Sequence, residues 1–586
     1  MHCAVPGGGK NFLFNVEGID QMSRLWLKQK YDSHRKLVPS LLAVLVVCGL
    51  ASHFAASCAA QSDYEQVKVI NQHIQQGWGD YEIRPASEVD DAKWCRRVHL
   101  DIIGRIPTLD ELNAFMSSRD RNKRQKLVQS LLYDDRYTEE YAENWATIWA
   151  NVLIGRSGGS ERNSLTNRDG MLKYLRDSFA ANKSYNEMVY DLVTAEGSTK
   201  PGTENFNGAT NFLADKVNAE QAVLATSSVS RLLLGQQVQC TQCHNHPFNQ
   251  WKQQKFWEFN AFFRQTRALR RYVSGTRDVE HAELVNEDFA GEGGDPEDAL
   301  IFYELRNGLT KVAYPVFIDG QEVSPSGFLS DVNRREELAK LMLQSEFLDK
   351  MFVNRMWSQF LGYGFTKPID DLGPHNPPSH PELLDYLGQQ VRQHSYDPKL
   401  LIEWITLSKP YQLTAQMTSA NEIDDPTMGE TPKFSHFYLR QMQAEQLYQS
   451  LVAVTGAGAA GSYEKQEQER RRWLRQFVVA FGTDEGDEAT TFNGSIPQAL
   501  MMFNGDLIKK AIASDRGTFL GDIAANKNRA SAKVDSLFLA GLARRATRSE
   551  QAIAAKLLVA RGGDTAEMLQ DVWWALLNSN EFIMQH

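Results

Sequence analysis

Cysteine is scarce in this chain. Only 6 of its 586 residues are cysteine. The first sixty residues hold three of these, Cys3, Cys48 and Cys58. If that N-terminal stretch is removed, Cys95, Cys240 and Cys243 remain, and three cysteines cannot form a disulfide framework even in an oxidising compartment. We therefore expect hydrophobic cores to hold the mature protein together, and the close spacing of Cys240 and Cys243 needs another explanation.

The chain also lacks a basic surface and the common nucleotide-binding motifs. Its formal net charge is −10, and its one dense group of arginines, at 470–475, has the helical spacing of a solvated helix face. There is no GxGxxG or Walker motif and no GxSxG nucleophile elbow. These absences exclude nucleic acid as a partner, and they leave a hydrolase without a visible nucleophile–base pair.

A basic and then apolar segment near the N-terminus is typical of an export signal. Five Lys or Arg side chains between residues 24 and 36 precede the apolar run 37–50, and small residues follow up to Ala60. The run is shorter than the ~20 residues of a membrane-spanning helix. We expect cleavage, a mature protein in the periplasm or cell envelope, and no transmembrane segment after cleavage. A lipoprotein anchored through Cys58 is the alternative.

Amphipathic helical patterns fill most of the chain. Thr108 with Glu111, and Ser379 with Glu382, match the capping box that begins a helix. The apolar periodicity predicts helices at roughly 89–102, 121–133, 137–154, 168–182, 218–235, 249–264, 333–346, 348–361, 381–394, 441–453, 532–544 and 565–579. The fold class is therefore mainly α.

The composition changes between about residues 270 and 330, which suggests a domain boundary. The stretch 289–299 is rich in glycine and acidic residues and predicts a loop. The β-branched and aromatic runs that follow, with Asn-Gly and Asp-Gly turns, predict a small β insert. Because 586 residues are too many for one core, we expect two helical domains joined by a short β-containing connector. The predicted parts are a signal peptide and preface at 1–60, helical domains at 61–270 and 331–586, and the connector at 271–330.

The densest group of potential ligands is the stretch CTQCHNHPFNQW at 240–251. It contains Cys-x-x-Cys-His, the attachment pattern of haem c. Cys240 and Cys243, three residues apart on one helical turn, can form thioethers with the two porphyrin vinyl groups, and His244 then becomes the proximal iron ligand. His246 is too close in sequence to reach the opposite face of the iron. The candidates for the sixth ligand are Met501, Met502, His375 and His380.

Three other interpretations of this stretch stay open. Zinc is the first, but four ligands within seven residues would strain tetrahedral geometry, so a distant ligand would be required. A redox dithiol is the second, although the flanking sequence predicts helices and not the usual βαβ context. The third is a structural disulfide between Cys240 and Cys243, with His244 merely packed.

Other polar motifs have simpler explanations. Arg97, Asp101 and Arg105 lie at helical spacing and predict a bracket of ion pairs. The two aspartates before His375 predict a solvated turn, with a cation site built from loop carbonyls as the alternative. His380 lies in a Pro-rich loop that leads into a helix.

Several long stretches resemble known families. AKWCRRVHLDIIGRIPTLDELNAF and CTQCHNHPFNQWKQQKFWEFNAFF are similar to the planctomycete cytochrome-c-like domain family of unknown function. FVNRMWSQFLGYGFTKPIDDLGPHNPPSHPELLDYL, LSKPYQLTA, PQALMMFNGDLI and WWALLNSNEFIMQH resemble the family that usually follows it. The resemblance covers nearly all of the mature chain and implies no established enzymatic activity. Cys95 stands where relatives more often have an apolar residue, and we interpret it as a small buried hydrophobe.

Two hypotheses of different class follow. The first is an exported c-type-cytochrome-like protein that binds one covalent haem c and transfers electrons to or from an unknown redox partner. The second is a non-haem binding or scaffold protein of the cell envelope, in which the Cys/His cluster binds zinc or holds the two domains together and other envelope proteins are the partners.

Overall fold

Helices make up most of the chain, as the sequence predicts. The computed structural model describes residues 64–159, 161–247, 249, 251–456, 465, 468, 470–475 and 505–585. The predicted signal peptide, Met501 and Met502 lie outside these residues. Among the described residues, no helix has the length and apolar character needed to cross a membrane.

The helices up to residue 260 include the one that leads to the cysteine pair. They are α1 (Glu65–Asp80), α2 (Asp91–Ile103), α3 (Leu109–Ser117), α4 (Lys123–Tyr133), α5 (Asp135–Ile154), α6 (Arg168–Ala180), α7 (Tyr185–Thr194), α8 (Ala214–Val217), α9 (Val223–Leu234) and α10 (Gln253–Asn260). Short 3₁₀ helices lie at Gly208–Phe212, Ala219–Ala222, Gln239–Gln242 and Ala261–Phe263.

The later helices are α11 (Arg334–Gln344), α12 (Glu346–Leu361), α13 (Pro381–Gln393), α14 (Pro398–Leu407), α15 (Ala444–Thr455), α16 (Asp506–Ala511), α17 (Phe519–Ala525), α18 (Ala530–Leu542), α19 (Arg548–Ala560), α20 (Thr565–Leu577) and α21 (Asn580–Ile583). Two 3₁₀ helices lie at Pro410–Gln412 and Pro426–Met428. The predicted helices appear at their expected places, with ends that shift by a few residues. The predicted ranges do not include α1, α7, α8, α14, α16, α17, α19 and α21. Nearly every side chain of α14 is buried, so no polar stripe marks its helical period.

One of the two predicted capping boxes is confirmed and the other is wrong. Thr108 accepts from the backbone N–H of Glu111 at 3.3 Å, and the Glu111 carboxylate accepts from the backbone N–H of Thr108 at 2.7 Å. At α13 the N-cap residue is His380, and no side chain caps the helix. Pro381 supplies the first residue of that helix, which shifts the cap one position beyond Ser379.

The strands of the described residues form three small sheets. Strands β1 (Gly197–Ser198), β2 (Thr266–Tyr272) and β3 (Val279–Asn286) form an antiparallel sheet in the order β1-β3-β2. The predicted β insert is confirmed as the hairpin of β4 (Ile301–Glu304) and β5 (Thr310–Ala313). Strands β6 (Arg440–Gln441) and β7 (Met584–Gln585) pair near the end of the chain. Strand β2 begins inside the range predicted as the first helical domain, so the change to β structure comes earlier than expected.

The main hydrophobic core contains residues from both predicted helical domains. The ring of Trp145 stacks on Phe360 with centroids 5.8 Å apart, and Tyr185 stacks on Phe352 at 4.1 Å. The range Ser62–His586 forms a single compact unit. The predicted arrangement of two helical domains with a connector is therefore not confirmed.

The predicted ion-pair bracket on α2 is wrong, because its three side chains take separate partners. Asp101 is buried and pairs with Arg440, with Oδ1 and Nη2 3.1 Å apart. Arg97 donates to backbone carbonyls, one of them that of Leu413 at 2.9 Å. Arg105 pairs with Glu111 at 2.8 Å. Long-range packing supplies better partners than the neighbouring turn of the same helix.

Candidate functional site

A sharp turn after α9 directs the chain toward the cysteine pair. Helix α9 ends at Gly235, whose φ of +64° lies in the left-handed region that glycine adopts without strain. A Cβ atom at Gly235 would lie 2.8 Å from the side chain of Leu372. Both the backbone conformation and the close contact therefore require glycine here. The 3₁₀ helix Gln239–Gln242 begins four residues later.

Cys240 and Cys243 are free and exposed. Cys240 lies within the 3₁₀ helix, and Cys243 is the residue that follows its last turn. Side chains three residues apart in a 3₁₀ helix lie one above the other, so the two thiols lie on the same side of the turn. The expected helical turn is thus a 3₁₀ turn and not a turn of an α-helix. Both thiols are open to reaction from solvent.

A hydrogen bond to the backbone orients the imidazole of His244 and selects the tautomer of its neutral form. Its Nδ1 lies 2.6 Å from the carbonyl oxygen of Asn245. A carbonyl oxygen only accepts, so Nδ1 carries the proton and the neutral ring keeps its lone pair on Nε2. Metal-binding histidines are commonly oriented by such a bond from the other ring nitrogen.

The neutral ring of His246 has the opposite tautomer. The backbone N–H of Asn249 donates to Nδ1 of His246 at 3.1 Å. The proton of the neutral ring is therefore on Nε2, which then presents no lone pair to a metal. Burial lowers the pKa of His246, and the nearby His375 lowers it further. His244 and His246, two residues apart, thus differ in what they can bind.

A turn from the second half of the chain lies against His246. The ring centroids of His246 and His375 are 6.0 Å apart. His375 donates from Nε2 to Oδ2 of Asp371 at 2.9 Å, which leaves Nδ1 of His375 as the possible ligand atom. The zinc interpretation requires a distant ligand, and His375 is a residue of the right type at that place.

Backbone hydrogen bonds fix this turn to the segment before the cysteines. The backbone N–H of Leu372 donates to the carbonyl of Gly235 at 2.6 Å. The side chain of Gln236 donates to the carbonyl of Leu372 at 2.7 Å, and Gln237 donates to Asp370 at 2.9 Å. These hydrogen bonds fix the positions of the two segments of the candidate site relative to each other. The sequence pattern does not predict them.

The other candidates for a sixth ligand are elsewhere or outside the described residues. The ring of His380 packs against Phe365 at 6.2 Å and Phe434 at 5.6 Å, and its Nδ1 lies 3.0 Å from the hydroxyl of Ser379. Burial lowers the pKa of His380 to about 4. Met501 and Met502 lie outside the described residues. Of the described candidates, His375 is the one that lies beside the Cys/His cluster.

Sequence reasoning missed the residues of α10 that hold the backbone near the Cys-x-x-Cys-His motif through hydrogen bonds. Gln253 donates to the carbonyls of Gln242 at 3.1 Å and Glu304 at 2.8 Å, and Trp257 donates from Nε1 to Gln242 at 3.1 Å. The side chain of Asn245 accepts from the backbone N–H of Gln253 at 3.0 Å. The amide and tryptophan side chains of α10 were the available signal, because buried residues of these types need hydrogen-bond partners.

The donor types at the cluster can be compared with those that haem c and a bare metal ion require. In the described part of the chain, no group of three or more His, Cys, Asp or Glu side chains is arranged to hold a metal ion. Haem c requires fewer ligands from the protein, because the porphyrin supplies four of the iron ligands. Two accessible thiols on one side of a turn and one imidazole with a lone pair on Nε2 meet its needs.

Two family models match the chain in tandem. PSCyt2, a protein of unknown function (DUF1549), matches residues 69–268, and PSD1, a protein of unknown function (DUF1553), matches residues 334–558. Searches of curated proteins and of solved structures found no match. The cysteine pair lies in the first matched region and His375 in the second. The resemblance seen in the sequence is confirmed, and the chain belongs to the proteins that carry these two families of unknown function, PSCyt2 and PSD1, one after the other.

Proposed function

We propose that the protein is an exported cytochrome-c-like protein that binds one covalent haem c and takes part in electron transfer. One observation carries the proposal: two free, exposed thiols on one side of a 3₁₀ turn are followed directly by His244, whose Nδ1 is fixed on a carbonyl. The name PSCyt2 points in the same direction.

Each residue of the Cys-x-x-Cys-His motif would have its own role in holding haem c. Cys240 and Cys243 would tether the porphyrin through thioethers, and Nε2 of His244 would hold the iron from one side. The bond from His244 to the carbonyl of Asn245 keeps the ring in place and strengthens Nε2 as a donor. When bound, haem c supplies one-electron chemistry at its iron. Because both thiols are exposed, a redox partner would find the attachment point at the surface.

Covalent attachment gives a direct test. The full chain is produced in a host with haem-c maturation machinery, and the protein is extracted with acid acetone, which removes haem held only by coordination. We expect the unaltered protein to stay coloured. Cys240→Ala and Cys243→Ala should each weaken or abolish the covalent colour. Cys95→Ala is the matched control, because Cys95 is buried and takes no part in the motif.

The histidine variants separate the roles of the rings. His244→Ala removes the proposed proximal ligand and should change the visible spectrum of the iron most. His246→Ala should change it least, because Nδ1 of His246 already accepts a backbone hydrogen bond. A colourless protein from the maturation-competent host would refute the haem proposal.

The contact between His246 and His375 favours a second candidate, a zinc-binding envelope protein. Here the thiols and at least one histidine would share the metal, and structural zinc couples to folding. This candidate predicts no visible absorption, stoichiometric zinc, and unfolding on chelation. His375→Ala should then lower the zinc content, whereas in the haem protein it should leave covalent attachment intact. If the protein is colourless and contains no metal, the remaining interpretation is a structural role for the cluster.

A further inference from the structure

One buried residue of α10 holds the backbone on both sides of Cys243 and His244. Gln253 is the first residue of α10 and is 5% exposed. Its Nε2 donates at 3.1 Å to the carbonyl of Gln242, the residue before Cys243. Its backbone N–H donates at 3.0 Å to Oδ1 of Asn245, the residue after His244. Cys243 and His244 therefore lie between two hydrogen bonds to the same residue.

The hydrogen bond before Cys243 belongs to a fully used set of donors and acceptors. The carbonyl of Gln242 also accepts from Nε1 of Trp257 at 3.1 Å, so both of its lone pairs are used. The amide of Gln253 has two protons on Nε2, and the second goes to the carbonyl of Glu304 in β4 at 2.8 Å. The amide thus joins the 3₁₀ turn to the β4–β5 hairpin. Because Gln253 is buried, water would replace these bonds poorly if the amide were removed.

The hydrogen bond after His244 acts on the imidazole through Asn245. The carbonyl of Asn245 accepts from Nδ1 of His244 at 2.6 Å, and the side chain of the same residue accepts from the first N–H of α10. The first N–H groups of an α-helix have no partner within the helix, so Oδ1 of Asn245 satisfies one of them. A displacement of Asn245 would therefore move the acceptor that selects the tautomer of His244.

The spacing of Cys243 and His244 matters for the proposed haem site. The thioether to Cys243 and the bond from Nε2 of His244 to the iron must be made to the same porphyrin. Functional side chains generally have to be held within about 0.5 Å of their working position. The motif lies at the surface, where its own packing is thin, so hydrogen bonds from the buried Gln253 are the available means of holding it.

We propose that Gln253 and Asn245 are positioning residues for haem c. Together they fix the Cys243–His244 dipeptide, and they keep the lone pair of the neutral His244 ring on Nε2. This inference rests on the proposed function. Neither residue is a ligand, and both act through the motif. Removal of the outer hydrogen-bond partners of a ligating histidine commonly lowers metal affinity by about 10–100-fold.

The tautomer of His244 in the unloaded full chain tests the positioning without haem. Nitrogen NMR of the imidazole at about pH 8, above the usual pKa range of histidine, distinguishes Nδ1–H from Nε2–H. We expect Nδ1–H to be the main form in the unaltered protein. Gln253→Met removes the amide at nearly constant side-chain length, and Asn245→Leu removes Oδ1. In each variant the ratio of Nδ1–H to Nε2–H should fall about fivefold, the factor for one hydrogen bond of about 1 kcal/mol.

Two further variants are the controls. Gln254→Met makes the same chemical change at the next residue, which is exposed and donates to Glu258 of its own helix, so the ratio should not change. Asn245→Asp keeps an acceptor oxygen for the N–H of α10 and should retain the ratio of the unaltered protein. Unfolding midpoints check that all four variants fold. If Gln253→Met does not fold, Asn245→Leu gives the same measurements at an exposed position.

The reduction potential of the haem-loaded protein is the second measurement. A weaker bond at Nδ1 makes Nε2 a poorer donor, and the ferric iron loses more from this than the ferrous iron. The midpoint potential should therefore rise in Gln253→Met and Asn245→Leu and stay constant in Gln254→Met and Asn245→Asp.

The two measurements separate this inference from the proposed function. If the protein is coloured but Gln253→Met and Asn245→Leu keep the tautomer ratio and the potential of the unaltered protein, the inference is wrong and the haem proposal stands. A ratio that falls while the potential stays constant also overturns it, because the positioning then does not reach the iron. A colourless protein refutes the haem proposal itself, and the assignment of the two residues to haem c falls with it.

Discussion

The rings of His246 and His375 lie 6.0 Å apart, centroid to centroid, at an interplanar angle of 42°. His246 follows the cysteine pair in the region matched by PSCyt2, and His375 belongs to the region matched by PSD1. The candidate site is therefore built from both matched regions. The contact between these two rings therefore joins the two matched regions at this place.

The contact between these two rings leads to a prediction about the pKa of His246. Burial is the largest cause that lowers the pKa of His246, and His375 adds to it, whereas Asp371 opposes it. His375→Gln should therefore raise the pKa of His246 toward 6.5, and Asp371→Asn should lower it further. Proton NMR of the imidazole Cε1–H between pH 4 and 9 measures both changes. An unchanged titration of His246 in His375→Gln would show that the two rings do not interact in solution.

Local structure was largely accessible from the sequence, but contacts between distant segments were not. The patterns predict α2, the capping box at Thr108 and the β4–β5 hairpin because each depends on neighbouring residues. The contact of His246 with His375 depends on how the turn after Pro368 docks on Gly235, and periodicity carries no information about such docking. The division into two helical domains stays a prediction. It rests on composition, whereas the core is shared by both halves.

The two capping-box patterns make a matched pair of substitutions. Thr108→Ala removes the oxygen that accepts from the backbone of Glu111, and we expect the free energy of unfolding to fall by about 1 kcal/mol. Glu382→Ala at the second pattern should change it by less than about 0.5 kcal/mol, because Glu382 takes part in no capping box and its side chain is exposed. Urea unfolding at pH 7 measures both. Equal effects of the two substitutions would contradict the assignment of His380 as the N-cap residue of α13.

His99 makes the stability of the fold sensitive to acid. Its side chain is fully buried, Nδ1 lies 2.9 Å from the carbonyl of Cys95, and burial lowers its pKa to about 4 from 6.5. The pKa of His99 is lower in the folded state than in the unfolded state. As the pH falls, His99 of the unfolded chain therefore binds a proton before His99 of the folded chain does. This stabilising contribution is present above pH 6.5 and is lost as the pH falls toward 4.

The size of this effect follows from linkage. Between pH 7 and pH 5, protonation of His99 in the unfolded chain should cost about 2 kcal/mol of stability. Other groups also titrate in this range, so the comparison is with His99→Leu, which removes the titrating ring and should be less sensitive to pH by that amount. Urea unfolding at the two pH values measures the difference. The same pH dependence in both proteins would rule out His99 as its source.

The turn before the cysteines offers a test that joins stability to the site. Gly235 and Gly308 both have positive φ, +64° and +79°, so alanine at either position should cost about 1 kcal/mol from backbone strain. A Cβ at Gly308 meets no atom within 4 Å, whereas one at Gly235 would lie 2.8 Å from Leu372. Gly235→Ala should therefore cost a further 1–3 kcal/mol, roughly, from overpacking.

The same substitution should move the candidate site. Leu372 donates to the carbonyl of Gly235 and directly follows Asp371, the partner of His375. When Leu372 is pushed away, the turn moves with it, so Gly235→Ala should shift the NMR signals of His246 while Gly308→Ala leaves them unchanged. Urea unfolding and the imidazole spectra of the two variants give both readouts. If Gly235→Ala destabilises the fold but leaves His246 undisturbed, the turn is not what holds His375 against the cysteine segment.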